Sequence, residues 1–236
     1  MNDLSTIAAL RQQIRAIERS EASGNGGRLT FGIPAIDRHL PDHGLRSGAV
    51  HEVIGDVDDM ARIGLIAALL GRMDRPVFWL RAPESFGQLS AGGLSQFGLQ
   101  PHQLVLSIPG GKESLWALEE AARCQAFAAV VGEGVIATPV QGRRLQLASE
   151  TGGTLLLLLP PASSNPPPSL SATRWRVTSA PGRYDGGGVG PPRWAVSLLR
   201  CRSGTPGSWL LEWDDEELRL GLVADMANRP LVQVTS

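Results

Sequence analysis

Lysine, cysteine and long apolar runs are all scarce in this sequence. Lys112 is the only lysine, so the other 21 of the 22 basic residues are arginines. Cys124 and Cys201 form no CxxC pattern, which excludes a disulfide framework and favours a reducing, cytoplasmic setting. The longest apolar run, Leu155–Leu159, is much too short to cross a membrane, and the first residues are polar where a signal peptide would be apolar.

The sequence also lacks an excess of charge of either sign, because its acidic and basic residues are nearly equal in number. The 236 residues carry a formal net charge of −1 and are 42% hydrophobic and 19% charged. Such a chain is long and apolar enough to bury the core of one good-sized domain. Its near-neutral charge lacks the strong positive field that is typical of nucleic-acid binders.

Residues 1–22 have the pattern of an amphipathic helix. The apolar residues of this segment recur every three or four positions, at Leu4, Ile7, Leu10, Ile14 and Ile17. The glycine-rich stretch Ser23–Gly27 ends the pattern and predicts a hinge. An apolar stripe of this kind needs a cover. The chain's own domain is the favoured cover, and a neighbouring protein is the alternative.

The stretch up to Pro160 alternates apolar strands with helices. The predicted strands are Ala49–Ile54, Pro76–Leu80, Gln103–Pro109, Phe127–Gly132 and a fifth around Leu155–Leu159. The predicted helices are Met60–Met73, one within Ser85–Gly98, Glu113–Ala126 and Arg143–Thr151. Strands that are apolar throughout and alternate with helices predict an α/β fold, with a mostly parallel central sheet flanked by helices.

The character of the sequence changes after residue 160. Residues 160–171 are proline-rich and predict a loop. Residues 172–222 contain three short segments, "TRWRVTS", "PRWAVSLLRCRSG" and "GSWLLEWDD", which predict antiparallel strands at one edge of the sheet. The main domain is therefore predicted over residues 28–222, followed by a flexible tail at 223–236. Trp209 and Trp213 could mark a partner surface, although packing in the core is favoured.

The segment after the first predicted strand has the position of a phosphate loop without its residues. The eight positions of G-x-x-x-x-G-K-[ST] fall on Gly55, Asp56, Val57, Asp58, Asp59, Met60, Ala61 and Arg62. Met60, Ala61 and Arg62 therefore stand where glycine, lysine and a hydroxyl residue are required. A like-charged pair about 4 Å apart costs about 4 kcal/mol at an effective dielectric of about 20, so the aspartates disfavour a triphosphate.

These residues predict no bound nucleotide, cofactor or metal and no catalytic residue. Asp58 or Asp59 instead suits the N-cap of the following helix. A magnesium site built from the same aspartates is the weaker alternative. Glu133, which follows a buried strand, could polarise water, but no phosphate cradle accompanies it.

Arg143 and Arg144 are adjacent in the predicted loop "TPVQGRRLQ". In a loop the two guanidinium groups could contact the phosphates of DNA, and such contacts would weaken with salt. Solvated arginines at the start of a helix are the favoured reading, so direct contact with DNA stays open.

The order of these segments resembles the RecA superfamily over about Leu29–Ser179. Within it the chain is most similar to the ImuA family, through "LRQQIRAIE", "GLRSGAVHEVIGD", the missing GKT and the "RW…W…LLRCRSG…GSWLLEWD" end. The resemblance implies a RecA-like fold and an accessory role in SOS-induced mutagenesis, in which the protein supports translesion synthesis after DNA damage. The implied partner is ImuB, a degenerate relative of Y-family polymerases, and through it an error-prone DnaE-type polymerase.

Three further options follow from the same resemblance. RecA is a second candidate partner, and the stripe of residues 1–22 could mediate binding or self-association. The first alternative function is a SulA-like inhibitor of cell division, and the second is a RecA-type ATPase with a degenerate nucleotide site. SulA-like chains are shorter and lack the tryptophan-rich end, so the non-catalytic adaptor is the favoured function.

Overall fold

The computed structural model describes residues 27–56, 58–83, 85, 87–110, 113–163, 169–182 and 190–225. The helix predicted over residues 1–22, with Leu4, Ile7, Leu10, Ile14 and Ile17, lies outside the described residues and stays a prediction. Within the described residues, no helix is both long enough and apolar enough to cross a membrane.

The described chain builds its core around one large sheet. In chain order the strands are β1 (Arg28–Leu29), β2 (Leu45–Arg46), β3 (Ala49–Ile54), β4 (Val77–Arg81), β5 (Leu104–Ser107), β6 (Ala129–Glu133), β7 (Leu155–Leu159), β8 (Thr173–Ala180), β9 (Arg193–Cys201), β10 (Gly207–Asp214) and β11 (Arg219–Asp225). β1 and β2 pair with each other. The other strands form one sheet in the order β11-β10-β9-β8-β3-β7-β6-β4-β5.

Helices cover both faces of the parallel part of this sheet. They are α1 (Pro34–Asp37), α2 (Ala61–Leu70), α3 (Ala91–Ser95), α4 (Ser114–Arg123) and α5 (Pro139–Gly152). α2 packs on one face together with the tryptophans of the C-terminal strands, and a Cβ at Gly64 would lie 3.0 Å from the Trp194 ring. α4 and α5 pack on the other face, where Leu118 and Leu145 are buried in a second apolar cluster.

The predicted direction of the strands is confirmed except at β8. The strands from β5 through β4, β6, β7 and β3 to β8 are parallel, and β9 to β11 are antiparallel at the C-terminal edge. The prediction that "TRWRVTS" is purely antiparallel was wrong, because β8 pairs in parallel with β3 and is antiparallel only to β9. Its sequence alternates because one of its faces is buried and the other is only half-buried, and such a pattern reports burial rather than direction.

Two other boundaries differ from the sequence prediction. α5 begins at Pro139, one turn before the predicted start at Arg143, because Thr138 and Gln141 form a capping box that stabilises its first turn. β11 was not predicted, and it continues to Asp225, into the segment that the sequence assigns to a tail. β11 is an edge strand with half-exposed side chains, so its apolar pattern is weak.

The C-terminal tryptophans lie in the core. Trp209 and Trp213 are only 0% and 2% exposed and pack in the same cluster as α2. Trp213 Nε1 donates to the carbonyl of Gln96 at 3.1 Å, and the Trp209 ring lies 5.0 Å from the His39 ring, edge to face. Both indoles are therefore placed inside the domain rather than on a partner surface.

His51 forms a buried polar link between three strands. Its Nδ1 lies 2.8 Å from the Thr173 hydroxyl, and its Nε2 lies 2.9 Å from the carbonyl oxygen of Arg46. The second contact needs a proton on Nε2, so Nδ1 of the neutral ring accepts from Thr173. Burial lowers the pKa of His51 to about 4, although the bond to the Arg46 carbonyl acts in the opposite direction. The folded protein therefore holds this imidazole neutral.

Candidate functional site

The candidate site is the loop that joins β3 to α2, at the carboxyl end of the parallel strands. Strand β7 ends beside the loop and β8 runs past it on the other side, and the carboxyl end of the strands is where open α/β sheets commonly bind ligands. Gly55 begins the loop, and a Cβ at this position would lie 2.9 Å from the carbonyl oxygen of Val177. The glycine therefore allows the loop to pass close to the backbone of β8.

Asp59 is the residue of this loop whose side chain caps the N-terminus of α2. Its Oδ1 accepts a hydrogen bond from the backbone N–H of Ala61 at 2.8 Å. Its two oxygens also accept from Ser179, which donates its N–H at 2.6 Å and its hydroxyl at 2.7 Å. A helix N-terminus attracts anions, and here a carboxylate of the same chain occupies that position. The formal N-cap residue, Met60, contributes no side-chain bond.

The sequence left the capping residue open between Asp58 and Asp59, and the structure places Asp59 there. Asp58 has a φ of 60°, in the left-handed region, and is exposed. Asp56 is also exposed and lies 3.9 Å from Arg176. Val57 lies outside the described residues. Among the described residues, no three His, Cys, Asp or Glu side chains are grouped as a metal site would require.

The Arg62 side chain packs against the loop at Gly55. Its Cδ would lie 3.3 Å from a Cβ at Gly55, and its guanidinium donates to the carbonyl oxygen of Pro160, just after β7. Burial lowers the pKa of Arg62, whereas the negative charges of Glu133 and Asp59 act to raise it. The arginine is therefore already compensated by carboxylates and a carbonyl of its own chain.

Glu133 ends β6 beside this site and is only 2% exposed. Its Oε1 lies 3.4 Å from Arg81 Nε, and its Oε2 accepts from Trp79 Nε1 at 3.0 Å. Arg81 also donates to the carbonyl oxygens of Ser85 and Gly87, so the pair anchors the loop after β4. Both carboxylate oxygens of Glu133 are thus engaged by cationic or neutral donors.

Trp79 and Arg81 were not predicted as partners of Glu133. They stand two residues apart on β4, so both side chains point to the same face of the sheet. β4 and β6 pair with Arg81 opposite Glu133. A charged residue at the end of each of two apolar strands was the signal that could have suggested this ion pair.

Arg143 and Arg144 lie on α5 rather than in a loop, because the helix begins at Pro139. Arg144 Nη2 lies 2.5 Å from Glu119 Oε2, and Glu119 also pairs with Arg123 at 2.6 Å. Arg143 is exposed. The structure thus joins Arg144 to α4 and places both arginines within a helix.

The chain is similar in sequence to two curated proteins. Two curated proteins called Protein ImuA, from two strains of Caulobacter vibrioides, are each 36% identical to this chain over 204 residues. The match covers 78% of this chain and 82% of each relative. No protein-family model matches the chain.

A solved structure also matches the fold. The crystal structure of the RadB recombinase superposes with a TM-score of 0.56 at 16% identity, covering 79% of this chain and 96% of that chain. At this identity the match shows the fold alone, and it confirms the predicted RecA-like architecture.

Proposed function

This chain belongs to the ImuA family, and from that premise we propose that it is a non-catalytic accessory protein of DNA-damage-induced translesion synthesis. The proposed partner is an ImuB-like protein, which would connect the chain to an error-prone DnaE-type polymerase. RecA is a further proposed partner, and the proposed location is the cytoplasm. In this proposal the RecA-like domain serves as a docking body and hydrolyses no nucleotide.

The occupied loop at Gly55 is the observation that carries the non-catalytic part of the proposal. A nucleoside triphosphate would have to displace the Asp59 carboxylate from three hydrogen-bond donors. It would also meet the negative charges of the neighbouring aspartates, and a like-charged pair about 4 Å apart costs about 4 kcal/mol at an effective dielectric of about 20. Ala61 offers no ammonium group at the lysine position of the motif.

The experiment that tests the adaptor role measures binding to two purified proteins, the ImuB-like protein and FtsZ. We expect saturable binding to the ImuB-like protein and none to FtsZ, because the family premise points to the mutagenesis complex. Binding to FtsZ without binding to the ImuB-like protein would replace the adaptor with a SulA-like inhibitor of cell division.

Nucleotide binding is tested separately by titrating the chain with a fluorescent ATP analogue in the presence of Mg²⁺. We expect no saturable signal in the micromolar range, because the Asp59 carboxylate already occupies the N-terminus of α2 and Arg62 already donates to the carbonyl oxygen of Pro160. A RecA-type ATPase measured under the same conditions is the positive control. Saturable micromolar binding would contradict the non-catalytic assignment and favour an ATPase with an unusual site.

A further inference from the structure

We propose that the exposed side of α5 binds a protein segment that carries apolar side chains flanked by carboxylates. The surface consists of four exposed apolar residues, named the α5 ridge: Ile136, Val140, Leu147 and Leu170. The inference rests on the proposed function, because it assigns the surface through which the adaptor would hold its ImuB-like partner.

The α5 ridge is unusually apolar for a solvent-facing helix. Val140 is 73% exposed, and Leu147, seven residues later on the same side of the helix, is 45% exposed. Ile136 precedes the helix by less than one turn and is 60% exposed. Single exposed apolar side chains need no explanation, whereas several on one face are typical of interaction sites.

A cavity lies beside the ridge, between the start of α5 and the segment that precedes β8. It has a volume of about 130 Å³, and Ile136 and Leu170 are among the residues that line it. Leu170 is 51% exposed. An apolar cavity of about 150 Å³ is known to hold a benzene ring, so this one is large enough to receive one apolar side chain of a partner. The Glu52 carboxylate also borders the cavity, but it is paired with Arg174 at 2.5 Å.

The charges beside the ridge favour an acidic partner segment. Arg143 lies between Val140 and Leu147 on the exposed side of α5, and the Arg144 side chain is 61% exposed. Arg202 is exposed on the other side of the cavity and donates to the carbonyl oxygen of Leu170. The nearby carboxylates of Glu119 and Glu52 are held in ion pairs, and the exposed Glu150 lies near the C-terminal end of α5, so positive charge dominates at the Val140 end of the ridge.

The apolar component argues for a protein rather than a nucleic acid. Phosphate contacts are made by basic and polar groups, whereas all four ridge residues are aliphatic side chains that carry no hydrogen-bonding group. Aliphatic side chains next to arginines instead match the composition of protein interfaces, in which apolar anchors are surrounded by charged residues.

A second exposed apolar region, at the edge strand β5, serves as the comparison. Val105 and Leu106 are each 43% exposed, but neighbouring strand residues point to opposite faces, so they do not form one surface. Val105 is separated from α5 by the width of the parallel sheet. Replacing it by aspartate makes the same chemical change as at Val140, in a different place.

The test measures the affinity of the purified ImuB-like protein for the full-length chain and three variants, Val140→Asp, Arg143→Glu and the control Val105→Asp. Val140→Asp is expected to weaken binding at least about tenfold, because it places a charge at an apolar anchor. Arg143→Glu is expected to weaken binding and to flatten its dependence on salt. Val105→Asp is expected to bind like the unmodified chain. Thermal unfolding of each variant verifies that the domain is folded.

The same variants are titrated with a single-stranded oligonucleotide, which separates a protein surface from a nucleic-acid surface. Unchanged affinity for the ImuB-like protein in Val140→Asp, or a loss confined to Val105→Asp, would overturn the assignment of the α5 ridge and leave the adaptor role intact. A loss of oligonucleotide binding in Arg143→Glu, with unchanged protein binding, would also overturn it. No binding by the unmodified chain would overturn the proposed function, and this surface with it.

Discussion

Replacing Glu133 by alanine is expected to lower the free energy of unfolding by about 3–5 kcal/mol, because it removes the carboxylate of a buried ion pair with Arg81. The Glu133 and Arg81 side chains are 3% and 7% exposed, so water screens their attraction only weakly. The Trp79 indole N–H also loses its acceptor. Urea unfolding at neutral pH, followed by tryptophan fluorescence, measures the change.

A matched control is available on α4. Glu120 pairs with Arg123 at 3.1 Å, but its side chain is 51% exposed. Replacing Glu120 by alanine is expected to change the stability by no more than about 0.5 kcal/mol, because exposed ion pairs contribute little. Equal stability of the Glu133→Ala and Glu120→Ala variants would show that the buried pair does not hold the domain together.

Stability is expected to fall as the pH drops below about 6.5, and His51 is the cause. The folded state holds this imidazole neutral, with a pKa of about 4, whereas the unfolded chain takes up the proton near the ordinary value of 6.5. The unfolded state therefore binds more protons between these two values, and it is favoured as the pH falls. The pKa difference corresponds to about 3 kcal/mol, which is lost progressively between pH 6.5 and pH 4.

The histidine contribution is isolated by comparing variants. A His51→Gln variant can keep one donor and one acceptor for Arg46 and Thr173, but it cannot titrate. Its unfolding free energy is expected to lack most of the slope between pH 6.5 and pH 4. A His102→Gln variant, which changes an exposed histidine, should keep that slope. The same slope in all three proteins would assign the acid sensitivity to other groups.

The parallel core was accessible from the sequence because its strands are short apolar runs between glycines and prolines. β3 was predicted to the residue, at Ala49–Ile54. The direction of β8 could not be predicted from the sequence, because the alternation of apolar and polar residues shows only which face of a strand is buried. β11 was missed for a related reason: Leu222 and Val223 are 41% and 42% exposed, so packing does not impose a clear pattern on this strand.

In the candidate site, too, only the features set by neighbouring residues could be predicted. Aligning the motif with the sequence from Gly55 onward needed only the local sequence, and it showed that Met60, Ala61 and Arg62 stand at the glycine, lysine and hydroxyl positions. The groups that complete the site are distant in sequence. Ser179 lies 120 residues from Asp59, and Pro160 lies 98 residues from Arg62. Motif comparison identifies which residues are missing, but only the folded sheet shows what replaces them.

The Asp59 carboxylate has a consequence for how the domain responds to its solution. A phosphate ligand at a helix N-terminus dissociates, so the fraction of protein that carries it depends on concentration. Asp59 is covalently part of the chain, and its bonds to Ala61 and Ser179 are made within one molecule. Dilution or dialysis therefore cannot remove this anion. The link between α2 and β8 keeps a fixed one-to-one stoichiometry, whatever the supply of nucleotide.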